Sequence, residues 1–350
     1  MSGFTKMFSG KDIAPHETSG RWSHWIKYPQ LLVYGVRLVI HEARRIVARE
    51  LRAHDHAGKL AEEARHWSKG EKGHTWLDSA VINDLVAREI SGDAGVYWLL
   101  HFRRRHAPET LGLALNLGCG AGGLERNAFA IGIARAFDSC DISRRAIEEA
   151  GRGEKIAGPV NFICADINNI ELGQNRYDAV FAVNILHHLT ELEHVLDQVR
   201  RSLRPGGLFV IHEYAGPARF QWKEAQLRAV NEALDALPRK YRINRRRGGV
   251  KRRVYRPILD ETNPDSPFEA ARSDEILQLI YERFECVERV DIGGALLHPL
   301  LEAIVANFDE KSEEDRAMLE GLWNREKELM RQGVLVSDFV YGVFRRKDEG

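Results

Sequence analysis

Short, mostly apolar runs recur through the middle of the chain at 113–117, 136–140, 160–164, 179–183 and 208–212. The stretches between them, at 124–133, 143–151 and 191–203, read as helices. Strand-like runs that are hydrophobic on both faces and separated by helices predict a parallel sheet covered on both sides. The expectation is one doubly wound α/β unit over 111–214.

The flanks follow a different rhythm. Over 22–54 the text is aromatic, then apolar, then basic, with Val36, Val39, Ile40, Ala43, Ile46, Val47 and Leu51 at helical spacing. This predicts amphipathic helices, read as a helical cap on the main domain in preference to a membrane-surface helix. A polar connector at 59–73 precedes a helix at 76–93, with Val81, Leu85, Val86 and Ile90 on one face and Gly92 as its stop, and a second helix at 96–105. Beyond the central unit come a helix at 220–237, an arginine-rich stretch, a loop with Pro257, Pro264 and Pro267, and a helix at 273–284. Strands are expected at 284–292 and 338–344, and helices at 296–308 and 313–332. The layout is an N-terminal helical extension over 1–110, a core over 111–214, an insertion over 215–272, and a C-terminal part of the core with a helical insertion over 273–350.

Composition narrows the class of protein. Lysine plus arginine and aspartate plus glutamate balance at 51 each, so the chain as a whole does not advertise a polyanionic partner. Cys119, Cys140, Cys164 and Cys286 show no C-x-x-C spacing, which argues against a structural zinc site or a disulfide scaffold, and no metal is expected. The first 20 residues lack the apolar core of a signal peptide, and no run approaches the length of a membrane span. A soluble, cytoplasmic protein is expected, with peripheral membrane association left open through 22–54.

Candidate chemistry begins where the first strand runs into glycines: Leu113-Ala-Leu-Asn-Leu-Gly-Cys-Gly-Ala-Gly-Gly-Leu-Glu125. A strand, a tight glycine turn and a helix N-terminus make a nucleotide site, because glycines let backbone N–H groups approach a ligand closely. Gly118, Gly120 and Gly123 fit the dinucleotide pattern G-x-G-x-x-G, whereas Gly118, Gly120 and Gly122 fit G-x-G-x-G. The loop alone leaves both open.

Four downstream motifs follow in order. Cys140-Asp-Ile-Ser143 ends the second strand, Ile163-Cys-Ala-Asp-Ile167 the third, and Tyr177-Asp-Ala-Val-Phe-Ala-Val-Asn-Ile-Leu-His-His-Leu189 covers the fourth strand and its loop. Leu203-Arg-Pro-Gly-Gly-Leu-Phe-Val-Ile211 supplies a helix stop and the fifth strand. Together they resemble class I S-adenosylmethionine-dependent methyltransferases, and the segments 213–222 and 293–299 look similar to bacterial members associated with glycan and natural-product pathways. The resemblance implies an α/β fold, a doubly wound, seven-stranded Rossmann-like sheet with its last strand antiparallel, carrying the N-terminal helical extension and insertions after strands 5 and 6. It implies S-adenosylmethionine as cofactor, held by Gly118, Cys119, Gly120 and Gly122 in the loop, by Asp141 with Ile142 at the ribose, and by Asp166 with Ile167 at the adenine. Asn184 would lie on the loop where donor and acceptor meet. Asn116 stands where the family usually has an acid linked to the methionine end of the cofactor. A nicotinamide oxidoreductase would need a second nucleotide half, which the sequence lacks.

Methyl transfer from a sulfonium needs chiefly an acceptor held at attack distance, and a base only when the acceptor must lose a proton. His188 is the candidate base, with His187 beside it, and Glu213 at the end of the fifth strand a candidate to orient the acceptor. Tyr214, Arg246 from the basic cluster 242–256, and His298 are candidates to bind it, and the insertion at 215–272 would shape its site. The plainer readings are that a histidine packs the next helix, that Glu213 supports its loop, that the arginines pair with Asp260, Glu261 and Asp265, and that His298 is a satisfied core residue. The expected function is methyl transfer to an oxygen or nitrogen of a small-molecule or glycan-linked acceptor. A non-catalytic cofactor-binding scaffold and an RNA- or lipid-directed methyltransferase are the alternatives. Nucleic acid ranks low, because only Tyr241 and Tyr255 are available for stacking. The apolar faces of the added helices leave a homo-oligomer open.

Overall fold

The computed structural model describes residues 58–59, 62–66, 75–153, 156–258 and 266–347. The chain divides into two units, Met1–Gly58 and Lys59–Gly350. The helices expected over 22–54 and the acidic partners Asp260, Glu261 and Asp265 lie outside the described residues. Of the connector expected at 59–73, residues 62–66 are helical.

Seven strands form one sheet: β1 (Leu111–Leu117), β2 (Ala134–Asp141), β3 (Val160–Cys164), β4 (Tyr177–Val183), β5 (Leu203–Tyr214), β6 (Phe284–Gly293) and β7 (Phe339–Arg346). Their order is β3-β2-β1-β4-β5-β7-β6. The first five run parallel, with Leu113 opposite Ala136, Ala114 opposite Ala179 and Val180 opposite Phe209. β7 lies antiparallel between its neighbours, with Val343 opposite Val210 and Phe344 opposite Cys286. The expected sheet, its closing antiparallel strand included, is what the chain forms.

Alternating strand residues point to opposite faces, and both faces are buried. One face gathers Ala114, Ala179, Phe181, Val210 and Tyr341 with Ile82 and Val86 of α1 (Ala80–Ser91) and Phe102 of α2 (Trp98–Arg105). The other gathers Leu115, Val180, Ala182, Phe209 and Ile211 with the apolar stripe of α5 (Leu192–Ser202), Leu192, Val195, Leu196 and Val199. α3 (Gly123–Ala130) and α4 (Arg144–Arg152) follow β1 and β2 as crossovers. After β5 come α6 (Glu224–Ala236) and α7 (Ile276–Arg283), and between β6 and β7 come α8 (Leu297–Leu301) and α9 (Glu313–Arg331).

Local chemistry sets the helix ends. The Ser79 side chain accepts the Ile82 N–H at the start of α1, and Gly92 ends it at φ 83°. The helix expected at 76–93 is therefore divided, with a 3-10 turn at Trp76–Asp78 before α1. The helix expected at 296–308 is shorter still. It stops after Leu301, Ala303 adopts φ 61°, and only a 3-10 turn at Val305–Asn307 follows. The cause is distant in sequence: Lys251 Nζ donates to the carbonyls of Pro299, Leu300 and Glu302 at 2.8, 3.1 and 2.8 Å, taking the groups that a longer helix would have used.

The chain leaves β1 toward β2 and β3, then returns to β4 on the other side. This reversal opens a crevice at the C-terminal ends of β1 and β4, where open α/β sheets bind ligands.

Candidate active site

The loop after β1 turns on Gly118, Gly120 and Gly122, at φ 71°, 51° and 76°. These three glycines supply the left-handed turns of the loop, and Gly123 opens α3. A Cβ at Gly118 would stand 2.7 Å from Cγ1 of Ile185, which shows how closely the β1 and β4 loops approach. Gly118 and Cys119 both donate their N–H to the Cys140 carbonyl, at 2.8 and 3.0 Å. Asp141 accepts the Gly120 N–H at 2.9 Å on one oxygen and the Ser143 N–H at 2.8 Å on the other. The glycine loop and the carboxylate at the end of β2 are thus one hydrogen-bonded piece.

A cavity of about 370 Å³ opens beside it, within the range of small-molecule and cofactor sites. Gly118, Gly120, Asp141, Ile142, Asp166, Ile167, Asn184 and His188 line it, joined by Glu63, Asn168, Val183, Ile185, Leu189 and Phe268. Asp166 accepts the Asn168 N–H and the Asn169 amide at 3.0 and 2.7 Å. Asn168 in turn accepts the N–H groups of Thr190 and Glu191, at 2.9 and 3.1 Å, which ties the β3 loop to the start of α5. Carboxylates at two strand ends, apolar Ile142 and Ile167 beside them and a glycine cradle suit a nucleoside with a diol and an aromatic base.

Several expected site residues lie elsewhere. Asn116 is buried behind the loop, where its Nδ2 donates to Glu125 Oε1 at 2.8 Å and Ser139 Oγ donates to the same oxygen at 2.6 Å. It does not line the cavity, because Glu125 in the first turn of α3 takes its amide. Cys119 and Gly122 also stay off the lining. Burial pushes the Cys119 thiol up and holds that of Cys140 at about 12, so both remain protonated.

Glu213 does not reach the cavity. It is fully enclosed and accepts the N–H groups of Ile185, Leu186 and Tyr214 at 2.9, 2.8 and 2.8 Å, with His187 Nδ1 as a fourth partner. It anchors the β4 loop and orients His187. Burial alone would discharge His187, but Glu213 and Glu269 outweigh it and raise the imidazole to about 10. His187 is therefore an imidazolium near neutral pH and no base. His188 has its Nδ1 3.1 Å from Glu63 and lines the cavity. Tyr214 is buried with its hydroxyl donated to the Pro217 carbonyl at 3.0 Å. His298 packs among Tyr214, Phe220 and Phe339, at ring separations of 5.8, 5.5 and 5.3 Å, and burial lowers it to about 4. Arg246 pairs with Glu302 at 2.6 Å. None of these last three lines the cavity.

Sequence reasoning passed over Glu63, Ser266 and Glu269. Ser266 Oγ donates to Glu63, and the Ala271 N–H donates to the His187 carbonyl at 3.0 Å. Arg272 binds Glu193 through two nitrogens, at 2.7 and 2.6 Å, and the Thr190 carbonyl at 2.8 Å. These tethers bring Glu269 to within 3.5 Å of His187 Nε2 and 3.9 Å of His188 Nε2. Burial opposes its charge, but the two histidines draw Glu269 down to about 2. No periodicity or motif marks either carboxylate.

Residues 115–211 match the family model of the methyltransferase domain. With the sheet order, the glycine frame and the acidic strand ends, they form a class I S-adenosylmethionine-dependent methyltransferase domain. Among curated proteins, sterol 24-C-methyltransferase of Eremothecium gossypii is 24% identical over 182 residues, 47% of this chain and 46% of that protein. Its counterpart in Saccharomyces cerevisiae is 24% identical over 165 residues, 44% and 42% of the two chains. The chain thus spans under half the length of the curated relatives it matches. Among solved structures, an S-adenosylmethionine-dependent methyltransferase from Mesorhizobium loti is 20% identical, with 68% of this chain and 91% of that one covered and a TM-score of 0.39. Phosphoethanolamine N-methyltransferase 2 of Haemonchus contortus, in complex with S-adenosyl-L-methionine, is 17% identical, with 77% and 57% covered and a TM-score of 0.41. Among the described residues no helix is long and apolar enough to cross a membrane.

Proposed function

We propose that the chain transfers the methyl group of S-adenosylmethionine to an oxygen of a small-molecule acceptor seated where the donor cavity meets His188 and Glu269. The observation that supports this reading is the imidazole of His188 beside the Glu63 carboxylate on the cavity wall, with Glu269 behind it, since a polar acceptor end suits a hydroxyl that must lose its proton. Asp141 would hold the ribose diol, Asp166 with Ile142 and Ile167 the adenine, and the N–H groups of the glycine loop the remainder of the donor. When bound, that donor supplies a sulfonium-activated methyl carbon. His188 would take the proton of the acceptor hydroxyl as its oxygen receives the methyl carbon, the bonding pair of the broken carbon–sulfur bond staying on sulfur. A glycan-linked hydroxyl fits the same description.

A second reading, methylation of an alkene carbon, draws on the sterol 24-C-methyltransferase relatives. It would use the carboxylates of Glu63 and Glu269 to face a cationic carbon. Incubation with 13C-methyl-labelled S-adenosylmethionine and a panel of sugars, phenols and sterols separates the two, since the product's labelled resonance distinguishes O–CH3 from C–CH3. Label found only on carbon would overturn the oxygen reading, and donor binding without any product would favour a non-catalytic protein. Replacing His188 with Ala should lower turnover at saturating acceptor at least about tenfold, equivalent to 1.4 kcal/mol, with donor affinity little changed. Unchanged turnover would remove His188 from the acceptor site.

A further inference from the structure

A second cavity, of about 190 Å³, opens on the α1 and α2 side of the sheet. Val86, Ala87 and Ile90 of α1 form one wall, Tyr97 and Trp98 at the start of α2 another, and His212 of β5 the floor. It abuts the first cavity, because Val183 and Asn184 at the end of β4 line both. Asn184 turns the chain there at φ 50° and donates its N–H to the His212 carbonyl at 2.9 Å, which fixes the boundary. In other proteins an apolar cavity of about 150 Å³ admits benzene. The second cavity is therefore large enough for one six-membered ring with a small substituent.

Its lining among the described residues holds no Asp, Glu, Lys or Arg, so a charged group entering it would lose its hydration without gaining a counter-charge. Two of its polar side chains are already used. Asn83 donates its amide to the carbonyls of Leu77 and Ser79, at 2.6 and 3.0 Å, and the Tyr97 hydroxyl donates to Asp84 at 3.1 Å. His212 differs. It is 5% exposed, its ring centre lies 5.7 Å from that of Trp98, and among the described residues its ring has no hydrogen-bond partner but its own carbonyl. Burial lowers it to about 4, so the imidazole is neutral. A neutral imidazole has one N–H and one bare acceptor nitrogen. The carbonyl can take the N–H, and the bare nitrogen is left at the cavity without a donor, a state that buried polar groups rarely keep.

We infer that the second cavity seats a neutral ring of the acceptor, whose hydroxyl or N–H donates to His212, while the oxygen to be methylated lies beyond Asn184 in the first cavity. The acceptor class is therefore a cyclic alcohol or phenol, uncharged on that ring, with a second hydroxyl outside it. Trp98 offers the ring an aromatic face, and the α1 side chains an aliphatic one. His212 is then a specificity residue, since a ring lacking the donor would leave its nitrogen unpaired. This rests on the first cavity being the donor site and on methylation at oxygen.

The test uses phenol and toluene, two probes of nearly equal size that differ in the hydroxyl. Binding to the full chain is followed by ligand-observed NMR and by the ring-nitrogen signals of protein labelled with 15N-histidine. Wild type, H212F and A87L are compared, and each is checked for folding by circular dichroism. Phenol should bind wild type saturably and shift the nitrogen signal that H212F lacks, whereas toluene should bind without that shift. H212F should weaken phenol about tenfold and leave toluene within about twofold. A87L fills the cavity and should weaken both at least about tenfold. No saturable phenol binding to wild type, equal loss of both probes in H212F, or undiminished binding in A87L would overturn the inference. Calorimetric binding of S-adenosylmethionine is measured with and without phenol. Binding of both together supports the inference, and mutual exclusion would give the second cavity to the donor and overturn it. A chain that binds phenol in this way but not the donor would sink the proposed function and spare the ring site, and donor binding without phenol binding would do the opposite.

Discussion

Asn116→Asp introduces the acid that the family resemblance implies at that position and should nonetheless damage this protein. The Asn116 amide donates to Glu125 Oε1 at 2.8 Å where both side chains are buried. The replacement removes a hydrogen bond to a charged group, worth about 1.5–3 kcal/mol, and sets two carboxylates in contact. At roughly 3 Å and an effective dielectric near 20, their repulsion is about 5–6 kcal/mol. Protonating one of them at pH 7 costs less, about 3.7 kcal/mol for a carboxyl with an ordinary value near 4.3. The variant therefore takes up a proton on folding, which bridges the two groups and replaces the lost bond, for a net loss of about 3–4 kcal/mol at pH 7. The folded pair titrates above its unfolded value, so the deficit shrinks by about 1.4 kcal/mol for each pH unit lowered toward 4.5. Urea denaturation of both proteins at pH 5, 6 and 7 measures this. A deficit independent of pH, or no deficit at pH 7, would refute the assignment of Asn116 as the donor to Glu125.

Gly118→Ala places a methyl group 2.7 Å from Ile185 Cγ1 at φ 71°, a conformation costing other residues about 1–2 kcal/mol. Donor affinity should fall at least about tenfold by calorimetry, and an affinity within twofold of wild type would remove this turn from the donor site. Glu213→Gln leaves one acceptor oxygen where four partners need two, so the denaturation midpoint should drop by the equivalent of about 3–5 kcal/mol with an unchanged slope. An unshifted midpoint would show that the β4 loop does not depend on this carboxylate. Burial raises Asp338 to about 7, although Gln226 donates to it at 2.7 Å. Its contribution to stability is thus complete below about pH 4 and is lost as pH rises through 7. Asp338→Asn should gain on wild type between pH 5 and 8, by about 2–4 kcal/mol at the upper end, and a difference constant with pH would contradict the burial argument.

The gathering of the glycine loop, Asp141 and Asp166 at one cavity follows from local signals in the text. Strands such as Val160–Cys164 are short apolar runs, and Asp141 and Asp166 sit at strand ends at family-like spacing. Asn116 is a departure only by the family resemblance, and its partner is nine residues away on the next helix, where only the packing of α3 on β1 reveals it. The early end of α8 was hidden for the same reason, since Lys251 acts across some fifty residues. Glu63 and Glu269 carry no pattern of their own. They come to lie beside His187 and His188 through tethers such as Arg272 to Glu193 and Ser266 to Glu63.

Glu63 precedes and Glu269 follows the matched stretch 115–211, so the walls that would meet the donor and those that would meet the acceptor belong to different lengths of chain. They are joined by hydrogen bonds at His187 and Thr190, an ion pair at His188 and the Arg272–Glu193 pair. Such a seam lets the two halves diverge at different rates. Two proteins alike throughout 115–211 can differ at Glu63 and Glu269, so kinship confined to that stretch is kinship in what is given and carries little information about what receives it.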